Sequence, residues 1–252
     1  MRFGIISDIH GNLEALDAVL GEIDAAKIDK LLCLGDVVGY GPNPNECCAR
    51  LRDWNCVTIA GNHDEAAVSN AGAEFFNPLA REALTWTQEA LTPENRSYLE
   101  SLPRDRHFDE AAAGGLAGGF ALVHGAPVFH FDYISDVVDA QRAFERVEVP
   151  VTFIGHTHVA EVYYQDLEGR AFQQKLLHGG RIELAPTFRY LINPGSVGQP
   201  RDHNPQAAYA ILDTADAIVE VRRVGYDVGS VRERMESLRL PAQLGARLAI
   251  GY

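Results

Sequence analysis

Short apolar runs alternate with amphipathic stretches at the start of the chain. The run Arg2–Ile6 predicts a strand, and the apolar residues that follow it recur at helical spacing. Lys30–Leu34 and Cys56–Ala60 predict two further strands. Between them, Asn43 followed by Pro44 is typical of a helix N-terminus. This βαβαβ order predicts a largely parallel sheet with right-handed crossovers.

The middle of the chain is more helical. Leu79–Glu89 and Pro93–Ser101 predict helices, the second capped by Thr92. The small-residue segment Glu110–Gly119 predicts the turn of a hairpin. Two buried strands and one helix are then expected at Phe120–His124, Val151–Gly155 and Val137–Val147, respectively.

From Val159 onward the pattern favours antiparallel strands and a final helix at Asp227–Leu238. The expected strands are Val159–Gln165, Arg170–Leu177, Phe188–Ile192, Ala207–Leu212 and Ile218–Val224. We therefore expect one α/β domain over residues 1–252, in which each half of the chain supplies a sheet. The two sheets are expected to pack face to face, with helices outside.

Charge narrows the possible partners. The chain has 22 basic and 35 acidic residues, a net charge of −13, which makes nucleic acid and anionic membranes poor partners. If phosphate is the substrate, bound cations are needed to attract it. No apolar run is long enough to span a membrane or to form a signal peptide, and the four cysteines show no metal or disulfide spacing. These features favour a cytoplasmic protein.

Five short polar motifs fall at or just after predicted strand ends. Strand ends in open α/β sheets collect ligands, so these loops are expected to converge on one site. The motifs are Asp8–Asn12 (DIHGN), Gly35–Asp36, Gly61–Asp64 (GNHD), His124–Gly125 and Gly155–His158 (GHTH).

The residue types in the motifs suit metal ions. Carboxylate, imidazole and amide oxygen together favour Mn, Fe, Zn, Co or Ni over calcium or copper(I). A D-x-H or H-x-H pair places two donors on the same side of an extended loop. Each motif alone is weak evidence for a metal site. Five such motifs in order, each after its own apolar strand, are specific evidence for one.

The ordered set of motifs resembles the calcineurin-like metallophosphoesterase superfamily. The later stretch Asn193–Val197 (NPGSV) resembles a block of its small prokaryotic members, which are related to diadenosine tetraphosphatases. The resemblance implies a four-layer αββα sandwich of two mixed β-sheets flanked by helices. It also implies two divalent metal ions, manganese first, with iron, zinc, nickel or cobalt as alternatives.

The resemblance further assigns roles to individual residues. It gives one metal to Asp8, His10, Asp36 and His158, and the second to Asp36, Asn62, His124 and His156, with Asp36 bridging. Asn62 is also expected to touch substrate, and His63 matches the histidine that faces the leaving group.

Two positions depart from the family pattern. Protein Ser/Thr phosphatases of the family read GD-x-x-D-R-G, where this chain has Gly39 for the second aspartate and Tyr40 for the arginine. Bacterial diadenosine tetraphosphatases also keep that arginine. Asp64 is a candidate to orient His63 instead, and Tyr40 and Arg201 are candidate substrate-binding residues. Arg201 would replace the missing cation, with a solvated loop arginine as its alternative.

The leading hypothesis is a phosphoesterase in which a hydroxide bridging two metals attacks a small-molecule phosphate ester, either a diester or a monoester and perhaps of a nucleotide. A protein phosphatase is disfavoured by the two departures, and a nuclease by the charge. A non-catalytic scaffold of the same fold is disfavoured because all expected ligands are present. Phe129, Phe131 and Tyr133 either line a base pocket or form the buried face of an extended segment.

Overall fold

The structure, a computed structural model, describes residues 1–127 and 132–252. The described strands are β1 (Arg2–Ile6), β2 (Lys30–Cys33), β3 (Val57–Thr58), β4 (Asp105–Phe108), β5 (Phe120–Val123), β6 (Val151–Phe153), β7 (Ala160–Gln165), β8 (Ala171–Lys175), β9 (Gly180–Glu183), β10 (Arg189–Pro194), β11 (Ala207–Asp213) and β12 (Ile218–Val224). The described α-helices are α1 (Leu13–Ala25), α2 (Pro44–Asp53), α3 (Asn62–Ser69), α4 (Pro78–Ala90), α5 (Pro93–Glu100), α6 (Val137–Phe144), α7 (Val228–Ser237) and α8 (Ala242–Leu248).

The strands form two mixed sheets of six strands each within the described residues. The first has the order β3-β2-β1-β11-β12-β9 and the second β4-β5-β6-β10-β7-β8. The predicted hairpin is confirmed, because β4 pairs antiparallel with β5. The expectation that each half of the chain supplies one sheet is wrong. The antiparallel strands of the second half divide between the sheets, since β11 pairs with β1 whereas β10 pairs with β6.

Side-chain alternation along the strands separates the layers. On β1, Phe3 and Ile5 face the apolar layer between the sheets, whereas Ile6 faces the layer of helices that includes α1. On the outer face of the second sheet, Phe144 of α6 packs with Leu191 of β10. The predicted αββα sandwich is therefore confirmed.

Three elements were absent from the sequence-based prediction. Helix α3 begins with the polar GNHD motif, which hides its amphipathic pattern. Strand β9 is a short edge strand that begins at a glycine. Helix α8 follows Pro241 and contains Gly245, so its helical signal is weak, and α7 is not the last helix. No helix in the described part of the chain is long and apolar enough to cross a membrane.

A set of parallel strands in each sheet determines where the site lies. Strands β1, β2 and β3 run parallel in the first sheet, and β5, β6 and β10 run parallel in the second. The carboxyl ends within each set therefore meet at one edge, and loops from both sheets meet beside them. This edge carries all five motifs.

Candidate metal centre

The predicted ligand side chains form one buried cluster at this edge. Each is between 0% and 5% exposed, although all are polar or charged. The cluster comprises Asp8, His10, Asp36, Asn62, His124, His156 and His158. Polar groups buried this deeply need partners, so the position of every donor and acceptor atom is informative.

The backbone is strained at five of these seven residues. Asp8 (φ 54°), His10 (φ 50°) and Asp36 (φ 53°) have left-handed conformations, and so do His156 (φ 69°) and His158 (φ 60°). Such conformations cost of order 1–3 kcal/mol for a non-glycine residue and persist where the surroundings impose them. Here the strain turns the side chains into the cluster.

Backbone hydrogen bonds between motifs hold the strained loops. The Asp8 amide donates to the Gly35 carbonyl at 3.0 Å, and the His10 amide donates to the Asp36 carbonyl at 2.9 Å. The Gly198 amide donates to the Asp8 carbonyl at 3.0 Å. Three distant parts of the chain are thus joined at Asp8.

His10 and His158 direct unprotonated nitrogens at one point. Their Nδ1 atoms lie 3.1 Å from the Val38 carbonyl and 2.6 Å from the Gln199 carbonyl, respectively. A carbonyl only accepts, so each Nδ1 carries the proton and each Nε2 presents a lone pair. Burial lowers the pKa of both rings well below the usual histidine value, so they are neutral. Their Nε2 atoms are nevertheless 3.1 Å apart, and two lone pairs at this separation need a cation between them.

Two carboxylate oxygens accept no well-formed hydrogen bond within the described residues, although a histidine Nε2 lies 3.3 Å from each of them. Asp8 Oδ1 and Asp36 Oδ2 are buried without a hydrogen bond. Their other oxygens are occupied, since Asp8 Oδ2 accepts from Ser7 Oγ at 2.6 Å and Asp36 Oδ1 accepts from the His63 amide at 2.8 Å. Burial raises the pKa of Asp8 to about 6, and a bound cation would counteract this.

Ligand atoms of Asp8, His10, Asp36 and His158 all lie within 4.8 Å of one another, and so do those of Asp36, His124 and His156. Asp36 belongs to both groups. The residues present therefore fit a divalent cation in the first group and offer a second set of donors beside it.

His124 links the second group to the first. Its Nδ1 donates to the Leu34 carbonyl at 2.8 Å, and its Nε2 lies 3.3 Å from Asp36 Oδ2 and 3.2 Å from Asn62 Oδ1. Burial is the largest single influence and would lower the pKa of His124, but the charge and hydrogen bond of Asp36, the charge of Asp8 and the Leu34 carbonyl together outweigh it and raise the pKa to about 10. His156 completes this side, and its ring stacks on Tyr133 with centroids 4.0 Å apart.

Comparison with known proteins identifies the family. The model of the calcineurin-like phosphoesterase superfamily domain matches residues 1–217, most of the chain and all five motifs. The chain belongs to the calcineurin-like phosphoesterase superfamily. The resemblance inferred from the motifs is thus confirmed.

Relatives of this phosphoesterase-family chain match it over nearly its full length. The uncharacterized protein MJ0912 of Methanocaldococcus jannaschii is 40% identical over 254 aligned positions, covering 98% of this chain and 97% of that protein. A metallophosphoesterase structure from Sphaerobacter thermophilus has a TM-score of 0.84 and 38% identity, with 100% of both chains covered. The hypothetical protein PH1004 from Pyrococcus horikoshii shares the fold, with a TM-score of 0.78, 23% identity, and 100% and 98% coverage.

The departure of this chain from the wider family pattern at Gly39 has a steric basis. A side chain at Gly39 would bring its Cβ to 2.5 Å from His63 Nδ1, and Gly39 itself has a φ of 92°. The position therefore has no room for an aspartate. The Tyr40 ring also contacts His63, with ring centroids 4.5 Å apart.

The expected pairing of Asp64 with His63 is wrong. Asp64 Oδ1 accepts from the Val38 amide at 3.1 Å and Oδ2 from the Gly61 amide at 3.0 Å, while His63 Nδ1 has no partner among the described residues. Asp64 sits on the helix turn after His63, so its carboxylate caps α3 and ties this helix to the loop after β2. Burial lowers the pKa of His63 to about 4.

Arg201 lies against the cluster. Its guanidinium carbon is 5.6 Å from the centroid of the Tyr40 ring, and its amide donates to the His158 carbonyl at 3.1 Å. Its Nη2 donates to Gln199 Oε1 at 2.8 Å. Tyr133 is 51% exposed at the rim, whereas Phe129 and Phe131 lie outside the described residues.

Several supporting residues escaped the sequence analysis. Ser196 Oγ donates to the Asp8 carbonyl at 2.7 Å and accepts from the Gln199 amide at 2.8 Å. Asn193 Nδ2 donates to the Gly155 carbonyl at 2.8 Å. The NPGSV block therefore holds two of the motif loops. Its resemblance to a family block was the signal in the sequence, but that resemblance gave Asn193 and Ser196 no individual roles.

Proposed function

We propose that the chain is a metal-dependent phosphoesterase that hydrolyses a small-molecule phosphate ester with two divalent metal ions. The observation that carries this is the pair of donor groups that share Asp36, with unpartnered lone pairs directed at one point. Family membership supports phosphoester chemistry over other uses of such a cluster.

The first metal would be held by Asp8, His10, Asp36 and His158. The second would be held by Asn62, His124 and His156, again with Asp36. Manganese is the proposed ion, since hard carboxylate and borderline imidazole donors suit it, with iron, zinc, nickel or cobalt as alternatives. When bound, two divalent ions would polarise the phosphate and activate water.

The protein's own groups would then position the substrate. Asn62 carries amide donors beside His124 and would hold a non-bridging phosphate oxygen. His63, packed against Tyr40 and Phe76 with centroids 4.5 Å and 4.4 Å away, would face the departing oxygen. Arg201 would supply the positive charge that the family arginine provides at the position of Tyr40.

The substrate class follows from shape and charge. A buried cluster in a chain of net charge −13 favours a small ester over a nucleic acid, and nucleotides are candidates. We further propose that residues 1–252 act as one domain and work in the cytoplasm. All of the expected metal-ligand residues are present, which favours catalysis over a scaffold role.

Hydrolysis of chromogenic esters tests the proposal. The protein is loaded with Mn²⁺ and assayed on bis-p-nitrophenyl phosphate and p-nitrophenyl phosphate, with a chelated blank. We expect turnover that is sensitive to chelator. It should be lost in Asp36→Asn and kept in Asp216→Asn, the control at an exposed residue. Absence of turnover with Mn, Fe, Zn, Ni and Co would overturn it. Preference for one ester decides between a diesterase and a monoesterase.

A further inference from the structure

Gln199 has a buried side chain with a single hydrogen bond among the described residues. The residue is 2% exposed, and its Oε1 accepts from Arg201 Nη2 at 2.8 Å. Burial of a polar side chain is unfavourable unless it has such a partner. The contact with Arg201 is therefore the interaction that accounts for a glutamine at this position.

The backbone of Gln199 belongs to the frame of the metal centre. Its amide donates to Ser196 Oγ at 2.8 Å, and its carbonyl accepts from His158 Nδ1 at 2.6 Å. Ser196 Oγ in turn donates to the Asp8 carbonyl at 2.7 Å. The Gln199 side chain thus extends from a backbone that is fixed relative to two metal-binding residues.

Arg201 uses few of its donors within the described part of the chain. A guanidinium has five N–H donors. The Arg201 side chain donates only to Gln199, and its Nε is buried without a hydrogen bond. Arg189, by contrast, donates to two backbone carbonyls and to Gln165 Oε1. The donors of Arg189 therefore serve the fold, whereas Arg201 keeps donors for a ligand.

The group that holds Arg201 carries no charge. Arg222, another partly buried arginine, contacts the Glu220 carboxylate at 2.6 Å. Arg201 has no side-chain carboxylate within 4.0 Å among the described residues, and residues 128–131 contain no acid. An amide oxygen orients a guanidinium without cancelling its charge, so Arg201 stays a full cation in a chain of net charge −13.

The Arg201 guanidinium lies one ring away from the site. Its carbon atom is 5.6 Å from the centroid of the Tyr40 ring. That centroid is 4.7 Å from the ring centroid of His10 and 4.5 Å from that of His63. The cation is therefore beside a metal-binding residue and beside the histidine that would face the departing oxygen.

We propose that Gln199 is a positioning residue that holds Arg201 at the metal centre through a neutral acceptor, so that the uncancelled charge of Arg201 binds the substrate phosphate. The inference rests on the proposed function for the place of the phosphate. It explains why a buried glutamine, and not a glutamate, stands next to this arginine.

A double-mutant cycle on ligand binding tests the proposal without turnover. Phenylphosphonate, a non-hydrolysable ester analogue, is titrated into Mn-loaded protein by calorimetry. Gln199→Met keeps the side-chain length and removes the acceptor, and it should weaken binding by about tenfold, as Arg201→Gln should. The double variant should bind no more than about twofold more weakly than Arg201→Gln. Additive losses, or no loss in Gln199→Met, would overturn the proposal.

A second variant tests the neutrality of the acceptor. Gln199→Glu keeps an oxygen for Arg201 but adds a negative charge, and it should weaken phenylphosphonate binding by about tenfold or more. Binding equal to the wild type would contradict this role. Gln174→Met, at an exposed glutamine of β8, is the control and should bind as the wild type does.

Metal affinity separates positioning of Arg201 from support of His158. Gln199→Met should bind Mn²⁺ within about twofold of the wild type, because the backbone carbonyl that accepts from His158 is retained. A loss of Mn²⁺ affinity that matches the loss of phosphonate binding would overturn the proposal. If the cycle shows coupling but no ester is hydrolysed, only the proposed function fails. Hydrolysis without coupling means that only this inference fails.

Discussion

The layer between the two sheets and the cluster at the strand ends are both fully buried, yet they are built differently. In the layer, Phe120 packs on Phe3 and Phe108 with ring centroids 5.2 Å and 4.5 Å apart, and the contacts need nothing further. In the cluster, Asp8 Oδ1 and Asp36 Oδ2 accept no hydrogen bond within the described residues, and the backbone at both residues is in a left-handed conformation.

The apolar layer is therefore complete by itself, whereas the polar cluster needs a bound cation. The apolar layer stabilises the chain through area removed from water, roughly 25 cal/mol per Å². The polar cluster lowers stability unless a cation satisfies the oxygens and nitrogens. Substitutions in the layer should therefore change unfolding, and substitutions in the cluster should change activity and the response to metal.

Loss of Asp36 should have the largest effect. Asp36→Asn should reduce turnover by about 1,000-fold or more, because this carboxylate belongs to both donor groups. Mn²⁺ should also no longer raise its melting temperature, whereas the wild type gains stability by mass action. Calorimetric melts with Mn²⁺ and with chelator measure this, and Asp216→Asn is the control. An unchanged Mn²⁺ effect in Asp36→Asn would show that metal binds elsewhere.

Removal of a core ring comes next. Phe120→Ala should lower the free energy of unfolding by about 3–5 kcal/mol, because it empties a fully buried position. Urea denaturation measures this, with Phe75→Ala, at a residue that is 79% exposed, as the matched control. The Mn²⁺-induced stabilisation should remain in Phe120→Ala. Its disappearance would show that metal binding by the cluster depends on packing in the apolar layer.

His63 should matter less than the metal-binding groups. His63→Gln should reduce turnover by about 100-fold, the loss expected when a hydrogen-bond donor that stabilises the charge on the departing oxygen is removed. Metal content by mass spectrometry should stay unchanged, since both carboxylates of the cluster are retained. His107→Gln, at an exposed histidine of β4, serves as control. Full activity in His63→Gln would contradict the role proposed for His63.

The smallest effect is expected at Ser196. Ser196→Ala should weaken Mn²⁺ binding by about tenfold, because the hydroxyl holds the Asp8 loop without touching the metal position. Mn²⁺ titration calorimetry measures this, with the exposed Ser237→Ala as control. Unchanged affinity would show that backbone hydrogen bonds alone hold Asp8.

The sequence predicts most of the fold because apolar periodicity is local. Strands β1 and β2, the β4–β5 hairpin and the αββα layers follow from it. The division of later strands between sheets does not, since the pairing of β11 with β1 joins residues about two hundred positions apart. Helix α3 was missed because its first residues, Asn62, His63 and Asp64, serve the site and not an apolar face.

The candidate site was predictable in its residue types and order. Its supports were not, because Ser196 meets Asp8 across 188 positions of the chain. The proposed role of Asp64 failed because a carboxylate three residues after Gly61 caps the helix more readily than it reaches its neighbour.

Anomalous diffraction at the manganese edge from Mn-soaked crystals is the most direct test of the central claim. We predict two peaks in the cluster that share Asp36, one beside His10 and His158 and the other beside His124 and His156. No peak in the cluster, or peaks only at other places on the molecule, would contradict the dinuclear site on which the proposed function rests.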